Sequence, residues 1–163
     1  MHKTVKNLIN IKNLVKSNLS DLKILDRSPK IIAVSKTFKI EHILPLIEYG
    51  HIDFGENKVQ EAMDKWTEVK LKNSNIKLHM IGKLQTNKVK FAVKIFDYIH
   101  SVDSEKLAKK IADEQSKIDK KIKIFLQVNI GDENQKSGIN KKNLNQLVFY
   151  CREIGLDVVG LMC

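Results

Sequence analysis

The sequence predicts an α/β protein built on a parallel β-sheet. Short apolar or β-branched runs alternate with longer stretches in which apolar residues recur every three or four positions, a pattern typical of strands alternating with amphipathic helices. The glycines agree with this period, because Gly50 and Gly155 fall where helices should end, while Gly55, Gly82 and Gly131 fall where strands should end. Two architectures fit: an open doubly wound sheet, which the length of 163 residues favours, and a (β/α) TIM-type barrel.

The elements follow in a regular order. An amphipathic helix is predicted over residues 3–20, before a break at Arg27-Ser28-Pro29. The predicted strands cover residues 31–35, 52–55, 77–82, 98–101, 122–130 and 157–162. Apolar spacing predicts helices through residues 59–69, 107–112 and 144–151. Pro45 lies inside the first crossover helix, which is therefore expected to start late or to kink.

Composition and charge limit the classes of partner. The formal net charge is +10, but of the 29 basic residues only Arg27 and Arg152 are arginines, and the lysines are spread over nearly every segment. Recognition of bases and phosphates favours arginine, and single-strand binders add exposed aromatic residues. Because aromatic residues make up only 6% of the chain, we interpret the lysines as solvated surface and predict no specific nucleic-acid partner.

The sequence also predicts a cytoplasmic protein without metal or membrane. Cys151 and Cys163 are not part of a CxxC motif, which favours a reducing compartment. The first residues do not form a secretion signal, and no segment approaches the roughly 20 apolar residues of a membrane span. The five histidines lack HxH or HxxxH spacing, which argues against a metal site. Neither GxxxxGK[ST] nor GxGxxG occurs.

In either architecture, function belongs at the carboxyl ends of the strands. Lys36 follows the first strand, where it is either a solvated lysine or an amine for Schiff-base chemistry. Glu56 and Asn57 follow the second strand, where they could cap the next helix. His79 lies within the apolar third strand, where a histidine is more often a satisfied core residue than a ligand.

The fourth and fifth strands also end in polar residues. Ser101 or Asp103 would suit the N-cap of the helix that follows, and His100 with Asp103 could also indicate acid–base chemistry. Asn129 begins a long polar loop of the kind that carries function or is mobile. Each of these signals is weak alone, but they occur together and in order.

Six motifs carry a resemblance to a known family. They are AVSKT at 33–37, FGEN.VQE at 54–61, H.IG.LQ.NK at 79–88, HSVDS at 100–104, Q.N...E..KSGI at 127–139 and GLM at 160–162. In this order they resemble the pyridoxal phosphate (PLP) homeostasis protein family, YggS/PROSC. Its members look like the barrel domain of alanine racemase, the PLP fold type III.

The resemblance implies a fold and its extent. It favours a (β/α) TIM-type barrel of the alanine racemase N-terminal kind, with about six of the eight βα units. Residues 1–163 are then expected to form a single, incomplete barrel domain, truncated at its C-terminus. The family continues past GLM with segments that hold the cofactor phosphate, so the first and last strands are expected to have open edges.

The resemblance also implies site residues. Lys36 matches the lysine that holds PLP as a Schiff base, and because only a neutral amine attacks the aldehyde, we expect Lys36 to be partly dehydrated. Asn57 matches an asparagine near the cofactor, and His79 and Met80 are expected beside the pyridine ring. The remaining expected cofactor-binding residues are Ser101, Asn129 and Met162, at the ends of strands four, five and six.

Two functions follow as hypotheses. The first is a PLP-binding protein of intracellular PLP homeostasis, which holds PLP on Lys36 without substrate turnover. The alternative is a PLP-dependent amino-acid racemase-type enzyme, which needs a second acid–base group. The implied partners are PLP and PLP-dependent client enzymes, with no membrane and no specific nucleic acid, and the full-length protein is expected to be a monomer.

Overall fold

A computed structural model describes residues 1–24, 28–131 and 137–163. The predicted break includes Arg27, and the motif at 127–139 includes Glu133 and Lys136. These three residues lie outside the described residues. The helices are α1 (Lys3–Asp21), α2 (Ile40–Glu48), α3 (Val59–Lys72), α4 (Val89–Ile95), α5 (Glu105–Ser116) and α6 (Leu144–Glu153). The strands are β1 (Ala33–Val34), β2 (Asp53–Glu56), β3 (Lys77–Met80), β4 (Tyr98–Val102), β5 (Lys123–Asn129), β6 (Ile139–Asn140) and β7 (Asp157–Met162).

The strands form one parallel sheet in chain order. β1 to β5 are neighbours in sequence, β7 pairs with the other side of β5, and β6 pairs with the last two residues of β5. The predicted parallel α/β sheet is therefore confirmed. A doubly wound sheet reverses its strand order at a switch point, whereas this order continues in one direction. Among the described residues β1 and β7 do not pair, so the sheet is a partial barrel that is not closed.

The core lies between the sheet and its helices. The outward side chains include Phe54 and Leu78, which are in register on β2 and β3, and Ile124 on β5. Trp66 of α3 is fully buried and packs on Phe54 with 4.8 Å between ring centroids. Leu107, Ala108 and Ile111 of α5 complete this layer at helical spacing. Because the outward positions are fixed, the alternate residues of each strand must face the interior of the barrel.

Helix α1 precedes the sheet. It begins after His2, whose side chain accepts a hydrogen bond from the Thr4 N–H group. Val5 and Leu8 are buried, and the helix packs against α2, because these residues lie on one face of the amphipathic pattern. No described helix is both long and apolar enough to cross a membrane.

Helix α2 contains Pro45 at its sixth position and begins at Ile40. The expectation of a late start is therefore wrong. Pro45 lies past the first turn and removes one hydrogen bond, the one that its missing N–H would have donated to the carbonyl of Glu41. Ile43 is buried, so the apolar face of α2 still docks on the sheet.

Candidate functional site

The carboxyl ends of the parallel strands meet at one edge of the sheet, which we call the upper edge. The predicted residues at or just after these ends are Lys36, Asn57, Met80, Ser101, Asn129 and Met162. Parallel pairing from β1 to β7 brings them to the same edge although the chain separates them widely. The fold therefore brings the backbones of six of the seven predicted residues to one end of the barrel.

The inner face of the sheet is lined by two buried histidines with aromatic neighbours. His79 stacks on Tyr98 with ring centroids 4.3 Å apart, and His100 stacks on Phe125 at 4.2 Å. A Cβ at Gly160 would lie 2.9 Å from the Phe125 ring, so a larger residue at this position of β7 would displace that ring. The histidines lie deeper in the barrel than the upper edge.

Both ring nitrogens of His79 are engaged. Nε2 lies 3.1 Å from Asp53 Oδ1, and Nδ1 lies 2.9 Å from His100 Nε2. Burial lowers the pKa of His79, although Asp53 opposes this shift, and burial followed by repulsion from His79 lowers the pKa of His100 to about 4. Both rings are therefore neutral at pH 7: His79 donates to Asp53 through Nε2 and accepts at Nδ1 from His100. His79 is thus held in place on the inner face by Asp53 and His100.

Met80 lies on the opposite face of β3 from His79. It is in register with Glu56, is 1% exposed, and belongs to the core between sheet and helices. The period of two along a strand turns its side chain away from the barrel interior. The expectation that the Met80 side chain lies beside the cofactor ring is therefore not supported by its position.

Asn57 does not cap α3. The N-cap residue is Lys58, and no side chain makes a capping hydrogen bond there, so the capping interpretation of Glu56 and Asn57 is wrong. The Asn57 Oδ1 atom is buried and has no hydrogen-bond partner among the described residues. A Cβ at Gly82 would lie 2.4 Å from the Asn57 carbonyl oxygen, so Gly82 allows the segment after β3 to approach Asn57 closely.

A β-bulge in β4 directs Ser101 into the barrel. Ile99 pairs with Ile124 and Val102 with Leu126, so His100 and Ser101 together oppose the single residue Phe125. The Ser101 Oγ atom is buried and unpartnered within the described part of the chain. Ser104, and not Ser101 or Asp103, caps α5 by accepting from the Leu107 N–H group. Ser101 is thus available for another partner.

A cleft of about 530 Å³ opens at the upper edge beside β5. Its lining includes Ile81, Gln127, Asn129, Ser137 and Cys163. A Cβ at Gly138, whose φ is +130°, would lie 2.7 Å from the Asn129 nitrogen, so the returning chain lies directly on β5. The volume is that of a small-molecule pocket. The sequence indicates Ile81 and Gln127 only through their motifs and does not indicate Cys163 as a site residue.

Lys36 lies at the upper edge across the sheet from this cleft. Val34 is in register with Gly55, and a Cβ at Gly55 would meet the Ile32 side chain at 3.1 Å. Val34 therefore lies on the inner face with Gly55, and Lys36 follows two residues later, in the turn after β1. Lys36 is exposed and does not line the cleft. The expectation of a dehydrated amine is wrong, because β1 is the edge strand of the described sheet.

The described residues contain no group of three or more His, Cys, Asp or Glu arranged to hold a metal ion. Two of the buried polar atoms without a hydrogen-bond partner in the described part of the chain are an amide oxygen of Asn57 and the hydroxyl of Ser101. Such atoms suit a polar organic ligand, because the amide oxygen can accept from a hydroxyl group and the serine hydroxyl can donate to a carbonyl or a ring nitrogen. They fit the substituted pyridine ring of PLP.

Together, the fold and the upper edge define a barrel domain of the alanine racemase type. The family model described as "Alanine racemase, N-terminal domain" matches residues 9–163. The chain is 33% identical over 142 residues to the pyridoxal phosphate homeostasis protein of Pasteurella multocida (strain Pm70), covering 87% of this chain and 61% of that protein. It is 36% identical over 141 residues to the protein of the same name from Escherichia coli (strain K12), with coverages of 83% and 60%.

A solved structure gives the same result. PipY of Synechococcus elongatus PCC7942, without PLP, is 33% identical with a TM-score of 0.76, and the match covers 90% of this chain and 68% of PipY. PipY has also been solved with PLP bound. The chain belongs to the alanine racemase N-terminal domain family and, within it, to the YggS/PROSC family of pyridoxal phosphate homeostasis proteins. It spans about 60% of the length of the curated relatives it matches.

Proposed function

We propose that this chain binds PLP at the upper edge and holds it as a Schiff base on Lys36. PLP would supply an aldehyde, with which the Lys36 amine would form a C=N bond with release of one water molecule. Hydrolysis reverses the link and returns both the amine and PLP. The protein thereby stores and releases PLP without converting a substrate.

The observation that carries this proposal is the pair of buried, unpartnered polar atoms at the upper edge. Asn57 Oδ1 and Ser101 Oγ lack partners among the described residues, and buried polar atoms are rarely left unsatisfied. A polar group of a ligand that reached either atom would satisfy it. Asn129 and Met162 end β5 and β7 at the same edge, and we propose them as further contacts. Support also comes from relatives named for PLP homeostasis and from PipY, solved with PLP.

The exposure of Lys36 favours storage and release over catalysis. An exposed C=N bond can be reached by water, so the link to PLP can open without a substrate. His79 would not hydrogen-bond PLP itself, since both its ring nitrogens already bind Asp53 and His100 on the inner face. Met80 would contribute through its backbone alone, because its side chain lies in the outer core.

The test is trapping of the covalent link. The protein is mixed with PLP, the visible absorption of the adduct is recorded, and borohydride reduction is followed by peptide mapping. We expect one pyridoxyl group per chain on Lys36, and none after Lys36→Ala. Lys39→Ala is the matched control, because Lys39 is exposed three residues further on. Labelling that is equal in Lys36→Ala and the control would contradict the proposal.

A racemase-type activity is the alternative that the same preparation can test. In deuterated buffer with PLP and an amino acid, racemisation exchanges the α-proton for deuterium. We expect no exchange above that of PLP alone. Exchange that depends on Lys36 would instead assign an enzyme of the racemase type.

We further propose that PLP passes from this protein to PLP-dependent client enzymes, that the full-length protein acts as a monomer, and that it acts in the cytoplasm. The free thiols of Cys151 and Cys163 support a reducing compartment. Transfer is measured as reactivation of a PLP-depleted enzyme by the loaded protein, in comparison with the same amount of free PLP. Reactivation no faster than with free PLP would contradict a delivery role.

A further inference from the structure

The residues on both sides of Lys36 are held by side chains of α3. Lys65 Nζ donates to the Ser35 carbonyl oxygen at 2.8 Å, and the Thr37 N–H group donates to Glu61 Oε1 at 2.6 Å. Backbone groups of a surface turn are usually left to water. Here one helix supplies a cation to the carbonyl before Lys36 and a carboxylate to the amide after it, so the turn is bracketed by charge-assisted hydrogen bonds.

The two bracketing side chains are themselves locked. Lys65 Nζ lies 3.0 Å from Glu61 Oε1 and 2.9 Å from Glu56 Oε1. The Lys65 side chain is 8% exposed and that of Glu56 is fully buried. Glu56 Oε1 also accepts from Ser35 Oγ at 2.7 Å and from Trp66 Nε1 at 2.9 Å. This network, Glu56, Glu61 and Lys65, ties the turn at Lys36 to β2 and to the buried core.

The turn needs such support. Thr37 has φ +65°, in the left-handed region that β-branched residues rarely adopt. The hydrogen bond from Thr37 N–H to Glu61 holds the backbone in this conformation. Burial raises the pKa of Glu61, but the hydrogen bond from Lys65 is the larger effect and keeps the pKa below its usual value. Glu61 is therefore ionised at pH 7.

We propose that Glu61 and Lys65 are positioning residues, which fix the backbone on either side of Lys36 so that its amine points over the upper edge. Lys36 is exposed and has a long flexible side chain, so an anchored backbone removes part of the entropy that would otherwise be lost on reaction. This inference rests on the proposed Schiff base at Lys36. The hydrogen bonds of Glu61 and Lys65 to the turn are expected to hold its backbone without PLP as well.

The first measurement uses the protein without PLP. Amide hydrogen exchange by NMR reports the Thr37 N–H group in the wild type and in Glu61→Gln, Glu61→Ala and Lys65→Met. We expect exchange to accelerate about tenfold or more in Glu61→Ala, as a charge-assisted hydrogen bond is lost. The acceleration should be smaller in Glu61→Gln, which keeps an acceptor oxygen. Glu68→Gln and Lys72→Met, both exposed on α3, are the matched controls and should exchange at the wild-type rate.

The second measurement is the rate of PLP condensation with Lys36, followed by absorbance in the same variants. We expect the rate constant to fall about tenfold in Glu61→Ala and Lys65→Met, less in Glu61→Gln, and not in the controls. A variant that condenses with PLP at the wild-type rate although its Thr37 N–H group exchanges fast would overturn the positioning role. Exchange of the Thr37 N–H group at the wild-type rate in Glu61→Ala would also overturn it. If the wild type itself does not label Lys36, the proposed function fails, and the exchange data still test the turn.

Discussion

Lowering the pH from 7 to 5 is expected to reduce the free energy of unfolding, with His100 alone contributing about 1–2 kcal/mol after allowance for solvent screening. His100 is buried on the inner face of the sheet, stacked on Phe125 and hydrogen-bonded to His79. Burial is the largest cause of its low pKa, and the neighbouring His79 adds to it. The folded protein therefore resists protonation of this ring.

The sign follows from proton binding in the two states. The pKa of His100 is about 4 in the folded protein and 6.5 at its ordinary value. Between these values the unfolded chain binds more protons, so each step to lower pH favours unfolding. Stability is lost as the pH falls below about 6.5, and the loss from His100 is complete below about 4. His79 acts in the same direction, because burial lowers its pKa more than Asp53 and Asp97 raise it, and Lys30 lowers it further.

The measurement is urea unfolding at pH 7, 6 and 5. In this range the carboxyl groups of Glu61 and Glu114 stay ionised, because their pKa values lie below the ordinary 4.5. His100→Gln keeps a donor for His79 but no longer titrates, so its stability should fall less steeply with pH. His42→Gln is the control, since His42 is exposed. An unchanged pH dependence in His100→Gln would show that His100 does not cause the loss.

The strands could be predicted from the sequence because their outward residues must be apolar. Five of the predicted strands overlap β2, β3, β4, β5 and β7 closely, with a shorter β1 inside residues 31–35. Strand β6 could not be predicted, because two residues that pair with the end of β5 leave no period in the sequence. Helix α4, only seven residues long, was likewise too short for its apolar spacing to indicate a helix.

The site could be predicted less completely, because it depends on register. Asn57 and Ser101 each had a local explanation as helix caps, and the structure removes it by assigning the caps to Lys58 and Ser104. The bulge that directs Ser101 inward is a property of the pairing of β4 with β5. Met80 was grouped with His79 by adjacency, although neighbours in a strand face opposite sides.

The network around Lys36 could not be predicted from local pattern. Glu61 and Lys65 have the (i, i+4) spacing of an ordinary ion pair on a helix surface. Their contacts with Thr37 and Ser35 cross 24 and 30 positions of sequence, respectively. The FGEN.VQE motif contains Glu56 and Glu61, but sequence alone does not show that both face the end of β1.

Substitution of Gly82 by alanine is expected to destabilise the protein by about 2–3 kcal/mol. The new Cβ would lie 2.4 Å from the Asn57 carbonyl oxygen and 2.8 Å from its Cα. These are backbone atoms of the segment that joins β2 to α3, so the contact cannot be relieved by a side-chain rotation. Either the segment that contains Gly82 or the segment that contains Asn57 must move. Movement of the Asn57 segment also displaces the buried Asn57 Oδ1 atom.

Gly55→Ala is the matched control for this substitution. Gly55 also lies on the inner face, but its Cβ would meet the ends of the Ile32 and Ile81 side chains at 3.1 and 3.2 Å, and these can shift. We expect a loss of less than about 1 kcal/mol there. Urea unfolding measures both losses, and amide shifts of residues 56–58 should change in Gly82→Ala alone. Because the clash is with backbone atoms, Asn57→Ala should not restore the stability that Gly82→Ala loses. Equal stability of Gly82→Ala and Gly55→Ala would mean that the segment after β3 does not pack on the Asn57 backbone.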